Sequence, residues 1–325
     1  MPFVKQFVIT VAAFAAFAAL VVAAYKMIIQ LYCRNKNVVK YDYMKDAFIN
    51  SVSQGNHYMN YGLWLDDTTT LMEANNNLVA FAFNKSGLQH KKHMKVLDVG
   101  CGYGEQDIQW FKQMDNSCTI HAIDISEAQI KHAIERNNQG NQGNQGNQGN
   151  QGNQGNQGNI VFEVCDVKNI RLKFNNKHAF DVIFSIESAF HYPNRTQFFE
   201  HANELLTPDG RFIITDLMLQ NEYSENSWKN KLFVYFFSDF LNIPPQNLIS
   251  ANEWDKQLAA VFDVDEIIDV TEKTFGPYYV HFMHTYVKNK RLPQGFANAL
   301  SSFFCNTQPF SYKIAICKKK MMHEC

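Results

Sequence analysis

Three glycines at alternate positions, Gly100, Gly102 and Gly104, follow a short apolar run ending in an acid in MKVLDVGCGYGEQD, residues 94–107. Glycine costs a folded chain entropy unless the backbone must turn or approach something in a way a side chain forbids. The turn therefore reads as a place where a ligand lies against the main chain. A dinucleotide pyrophosphate asks for G-x-G-x-x-G at a helix N-terminus. Here the spacing is G-x-G-x-G, and the next residue is Glu105, an acid that suits a helix dipole but repels phosphate. A phosphate loop also needs a lysine and a hydroxyl after its glycines, and neither is present. The remaining class is a ligand without phosphate and with a positive centre. Four more groups are placed to serve it. Asp124 closes HAID, Asp166 follows EVC, and Glu187 and His191 share SIESAFHYP. A carboxylate can accept two hydroxyl hydrogen bonds at once. An imidazole titrates near neutral pH and can act as a base, or can simply pin its loop.

These stretches together resemble the class I S-adenosylmethionine-dependent methyltransferases, over roughly residues 55–318. DVGCGYG is similar to that family's motif I. The resemblance implies that Gly100 and Gly102 touch the amino-acid end of the cofactor and that Asp98 orients the turn or meets the ammonium through water. It implies that Asp124 accepts both ribose hydroxyls and that Asp166 meets the adenine amino group. The loop carrying ES…H·P is similar to that of tocopherol- and sterol-type enzymes, where it borders both methyl group and acceptor. It makes His191 and Glu187 the catalytic candidates, with Glu187 orienting a cationic or hydroxylated acceptor. MNYGLW resembles an aromatic cover in which Tyr61 and Trp64 face the sulfonium by cation–π attraction. The same rings could instead pack the amino-terminal helices. Enzymes acting on nucleobase amines carry N/D-P-P followed by an aromatic after strand four, where this chain has SIES; NIPPQ at 242–246 lies elsewhere. Arginine methyltransferases need a glutamate pair, and only Glu187 is present. A binding protein of the same fold without catalysis is the rival function, and the glycine spacing disfavours a nicotinamide oxidoreductase.

The elements that must position these residues follow from periodicity. KVLDV, CTIHAIDI, IVFEVCD, AFDVIFSIES and RFIITDLML are short apolar strands alternating with helices GEQDIQWFKQM, SEAQIKHAIERN and RTQFFEHANELL, the last closed by TPDG. Ser126 is a helix N-cap candidate. With the late strands DVDEIIDVT and YKIAICKKK, the pattern predicts an α/β fold: a doubly wound, mostly parallel, seven-stranded Rossmann-like sheet with helices on both faces. Seven NQG triplets at 138–158 cannot bury apolar surface and are expected to form a disordered loop before Asn159. Such a loop costs only about 1.4 kcal/mol more than a short one. The aromatic-rich insertion 219–262 reads as a lid over the acceptor pocket, as a segment packing LFVYFF against the core, or as both.

The formal net charge of −1 and the scattered basic residues give no footprint for nucleic acid. Seven cysteines without a C-x-x-C pair indicate neither disulfides nor a metal site. Gln6–Tyr25 carries no charge and is flanked by Lys5 and Lys26, long enough as a helix to cross a bilayer. Lys26, Arg34, Lys36 and Lys40 beyond it place the body in the cytosol by the positive-inside rule. The expected organisation is a single-pass membrane anchor at 1–34, a helical cover at 35–92 and a methyltransferase domain at 93–325. The expected acceptor is a small, apolar or lipid-like molecule.

Overall fold

The computed structural model describes residues 57–89, 91–115, 117–143, 159–224, 234, 238, 242–288 and 309–321. Seven strands form one sheet: β1 (Lys95–Val99), β2 (Thr119–Asp124), β3 (Asn159–Val164), β4 (Phe180–Ile186), β5 (Leu206–Leu219), β6 (Phe262–Asp269) and β7 (Phe310–Lys319). Their order is β3-β2-β1-β4-β5-β7-β6. The first five run parallel, and β7 is antiparallel to both β5 and β6. The chain reverses its direction of travel across the sheet between β1 and β4. The carboxyl ends of β1, β2 and β4 thus frame the crevice where open α/β sheets take their ligands.

Among the described residues, six helices of seven residues or more cover the two faces: α1 (Leu71–Ser86), α2 (Glu105–Phe111), α3 (Glu127–Gly143), α4 (Arg195–Leu205), α5 (Ala251–Val261) and α6 (Phe275–Lys288). Side chains alternate along each strand, so β5 sends Ile213 and Leu217 to one core and Phe212, Ile214 and Met218 to the other. The first core takes Leu78, Val79 and Phe83 of α1, Trp110 of α2 and Phe275 of α6. The second takes Phe198 and Phe199 of α4 with Trp254 and Leu258 of α5. A Thr70–Glu73 capping box starts α1. Because α1 shares a core with the sheet, the boundary expected at 92/93 disappears: Gly55–Cys325 is one unit.

Two other expectations change. TPDG lies inside β5 rather than before it: Phe180 pairs with Leu206 but Val182 with Arg211, so Thr207–Gly210 bulge out of the ladder. α3 continues through the first two NQG triplets to Gly143; the remaining triplets, 144–158, lie outside the described residues. The insertion 219–262 divides: α5 packs in the core with Trp254 fully buried, Phe262 opens β6, and most of 225–241 lies outside the described residues. The anchor expected at 1–34 and the helix expected before residue 57 lie outside the described residues. Among those described, no helix is long and apolar enough to cross a membrane.

One buried ion pair ties α4, β5, α5 and the segment after β4 together. Arg195 Nη1 lies 3.0 Å from Asp216 Oδ2, and both side chains are buried. Trp254 Nε1 donates to the same oxygen at 2.8 Å. Arg195 also donates to the carbonyl of Asn247, whose own amide donates to the carbonyls of Phe190 and Tyr192. Removing one partner strands the other charge in a dry core. Arg195→Met is therefore expected to lower unfolding free energy by about 3–5 kcal/mol in urea titrations, and adding Asp216→Asn to recover part of it.

Candidate functional site

β1 ends at Val99, and the amides of Gly100 and Cys101 both donate to the carbonyl of Ile123, at 2.7 and 3.1 Å. Gly100 has φ of 85°, and a Cβ there would fall 2.3 Å from Cβ of Ser188. The segment after β4 presses on this turn and by itself leaves no room for a side chain at Gly100. Gly102 is different. Its φ is 59°, yet a Cβ would meet nothing nearer than 3.5 Å, so this is the glycine with an open face. Gln129, in the first turn of α3, is 1% exposed; its Oε1 lies beside that face, and neither of its amide atoms is hydrogen-bonded.

The Asp124 carboxylate is locked to the turn. Oδ2 accepts from the Gly102 amide at 3.0 Å and Oδ1 from the Ser126 amide at 2.9 Å. Ser126 in turn caps α3, as expected, accepting from the Gln129 amide at 3.2 Å. Each carboxylate oxygen spends one acceptor site on the backbone, which leaves capacity for a pair of hydroxyls. The Cys165 amide donates to the Asp124 carbonyl at 2.9 Å, which brings Asp166 alongside. Asp166 itself caps the turn 167–169 through Lys168.

Asp98 is fully buried at the end of β1. Its Oδ2 accepts from Gln106 Nε2 at 2.9 Å, while Oδ1 has no hydrogen-bond partner. Burial pushes its carboxyl up to about 7, against the opposing bonds from Gln106 and Asp107.

Beyond β4 the chain places Glu187 at φ of 49°, a strained value for a long side chain. It is 7% exposed, and its Oε1 accepts from the Tyr61 amide at 2.6 Å and the Tyr312 hydroxyl at 2.7 Å. With its single proton given to Glu187, the Tyr312 oxygen also lies 3.1 Å from the Thr215 hydroxyl, which can donate to it. Burial pushes the Tyr61 and Tyr312 hydroxyls far above their ordinary value, so both are neutral phenols. The Tyr61 ring lies edge-on to Phe275 and Tyr278, at 5.2 and 4.8 Å. His191 Nδ1 sits 3.2 Å from the carbonyl of Asn242. A carbonyl only accepts, so Nδ1 carries the proton and Nε2 is the basic nitrogen of the neutral ring. The pin and the base are thus compatible roles of one imidazole.

The sequence-derived set is mostly brought together: Asp98, Gly100, Gly102, Asp124 and Asp166 around the turn, and Tyr61, Glu187 and His191 at the segment after β4. Of the two readings of Trp64, cover or packing, its contacts within the protein fit packing. Its indole donates to the Tyr61 carbonyl at 3.0 Å and its ring leans on His281 of α6 at 5.3 Å, which is a packing role. Tyr61 approaches Glu187 by its backbone rather than its ring. Tyr312, Thr215, Asp107 and Gln129 were missed. The first two come from distant strands without a local motif; EQD directly after the glycines was the legible signal for Asp107.

A sulfonium nucleoside suits this donor set: an open glycine face, a carboxylate with spare acceptor capacity, and a buried Asp98 oxygen awaiting a donor. Residues 90–263 match the family model described as a methyltransferase domain. The chain is 26% identical over 250 residues to erythromycin 3''-O-methyltransferase of Saccharopolyspora erythraea, covering 76% of this chain and 74% of that one. It is 28% identical over 175 residues to 27-O-demethylrifamycin SV methyltransferase of Amycolatopsis mediterranei, covering 54% of this chain but only 57% of the relative. Among solved structures, geranyl diphosphate C-methyltransferase of Streptomyces coelicolor superposes with a TM-score of 0.60 at 16% identity, over 81% of this chain and 94% of that one. At that identity the likeness speaks for fold alone.

A carboxyl raised on folding holds its proton more tightly folded than unfolded, so it costs stability as pH climbs from about 4 towards about 7. Asp98→Asn is accordingly expected to raise the thermal midpoint of the cofactor-free protein at pH 8 by several degrees. The gain should vanish near pH 4, and scanning calorimetry across that range reads it.

Proposed function

The chain belongs to the class I S-adenosylmethionine-dependent methyltransferases, and on that premise we propose that it methylates a small, largely apolar acceptor. The observation that carries this reading is the junction of Gly102 and Asp124 with the segment holding Glu187 and His191. Bound there, the cofactor supplies an electrophilic methyl group on a sulfonium centre. Asp124 and the open face of Gly102 hold its nucleoside and amino-acid ends, and Asp98 faces its ammonium. Asp166 is assigned to the adenine edge.

We assign the acceptor side to the cluster of Tyr61, Tyr278, Phe275 and Tyr312, whose rings pack beside the Glu187 carboxylate as polar fixture. Such a cluster favours an apolar body and leaves one carboxylate to orient a hydroxyl or an amine. The relatives named for O-methylation of antibiotic hydroxyls support the hydroxyl. His191 Nε2 then takes the acceptor's proton, while Nδ1–H holds the ring against Asn242. Alignment of acceptor and methyl within about 3–3.5 Å supplies much of the acceleration, roughly 7–11 kcal/mol in favourable cases.

We further assign the uncharged run Gln6–Tyr25 to a membrane anchor with the catalytic domain on the cytosolic side. A catalytic domain tethered at a bilayer meets acceptors that partition into it, so the acceptor class is lipid-like. The decisive assay is transfer of labelled methyl from S-adenosylmethionine to membrane lipid extracts, with mass analysis of the product. Label in the lipid fraction, lost on deleting residues 1–34, is the expected result; equal labelling by the shortened protein removes the basis for the anchor. His191→Gln is expected to lower kcat about 100-fold or more without changing cofactor affinity. Asp124→Ala is expected to abolish cofactor uptake measured by calorimetry.

A further inference from the structure

Asp107 lies in the first turn of α2, three residues past the last glycine, and is as fully buried as Asp98. Neither of its carboxyl oxygens has a hydrogen-bond partner, and neither does Asp98 Oδ1. The two side chains are nonetheless within hydrogen-bonding reach of each other. Two ionised carboxylates cannot sit in that arrangement, since each would present only acceptors to the other and like charges repel strongly in a dry site. One proton between them turns two of the three orphaned oxygens into a bond. Among the described residues, the groups acting on the pair are Gln106 of α2 and Asp124 of β2, together with the Cys101 thiol and the Tyr192 phenol, both held neutral by burial. No cation is among them.

We propose that Asp107 is a neutral carboxylic acid that donates its hydrogen bond to Asp98, and that it is the positioning residue that holds Asp98 ionised for the cofactor's ammonium. The inference rests on the cofactor assignment above and goes beyond it. The unpartnered Gln129 amide at the same turn is an independent sign that the cavity is finished by a polar ligand. With Asp107 held protonated by burial and by Asp98, the second proton of the pair belongs to Asp98, at about 7. An arriving ammonium displaces that proton: it leaves Asp98 for solvent, and the carboxylate then accepts from the cofactor and from Asp107 together. The product cofactor carries the same ammonium, so its uptake releases the proton too.

The test is titration calorimetry of the full chain with S-adenosylmethionine from pH 5.5 to 7.5, below the titration of a free α-amino group, in two buffers of different ionisation enthalpy. The wild-type protein is expected to release close to one proton per cofactor at pH 6 and far less at pH 7.5, with affinity falling as pH drops. Asp107→Asn keeps a donor without an ionisable group, and should hold affinity within about threefold with the same pH profile. Asp107→Ala removes the donor. It should weaken binding about tenfold at pH 7 and move the profile up by about one unit, the size expected for loss of one bond to a charged group. Release of no proton at pH 6, or equal losses in the Asn and Ala variants, overturns the proposal; the second result makes Asp107 a second anion. Where the Ala variant melts early, the proton count of the wild type and the Asn profile still decide. Absence of any binding by the wild type defeats the cofactor assignment instead.

Discussion

The carbonyl of Val99 is the point on which the site turns. It is the last acceptor of β1, and it takes hydrogen bonds from Ser188 Oγ at 2.8 Å and from the Tyr192 hydroxyl at 2.9 Å. Ser185, Ser188 and Tyr192 close a hydroxyl cluster around it, with Gly100 packed against the same serine. The glycine turn and the segment after β4 are consequently one piece of structure. Cofactor and acceptor groups need relative placement within a fraction of an ångström, and here it is set by buried hydrogen bonds between two neighbouring parallel strands. Motion of one half of the site without the other requires breaking that cluster.

Buried acids recur throughout, and each is handled by a different device. Asp216 is neutralised by Arg195. Asp124 is solvated by backbone amides. Glu187 takes a backbone amide and a phenol. The acids at the carboxyl edge of the sheet are dipole-solvated or shared, whereas the one beneath α4 and α5 is ion-paired. That division follows function: a salt bridge fixes packing, while amide and hydroxyl donors leave a carboxylate able to accept from a ligand as well.

The sheet was legible in the sequence because each strand is a short apolar run and its connections carry helical spacing; all seven strands stand where those runs do. Asp124 was legible because motif spacing fixes the end of β2, and Ser126 because capping is a local rule. Trp64 stayed open between cover and packing because sequence places a ring near the site without saying which face it turns to. The crowding at Gly100 was not legible for a related cause: its neighbour, Ser188, is far along the chain. Tyr312 and Thr215 came together only through the antiparallel pairing of β7 with β5, a long-range contact with no local signature. Lid and packing stayed open together for 219–262 because an amphipathic aromatic helix reads alike whether it covers a ligand or a core.

The reach of α3 into the triplet tract has a genetic corollary. Ser126 and Gln129 occupy its opening turn, and the reiterated triplets begin two turns further on, away from the crevice. Each triplet corresponds to nine bases, so polymerase slippage by whole units preserves the reading frame. A change of copy number by whole units leaves the residues of the cradle, and their order along the chain, unaltered.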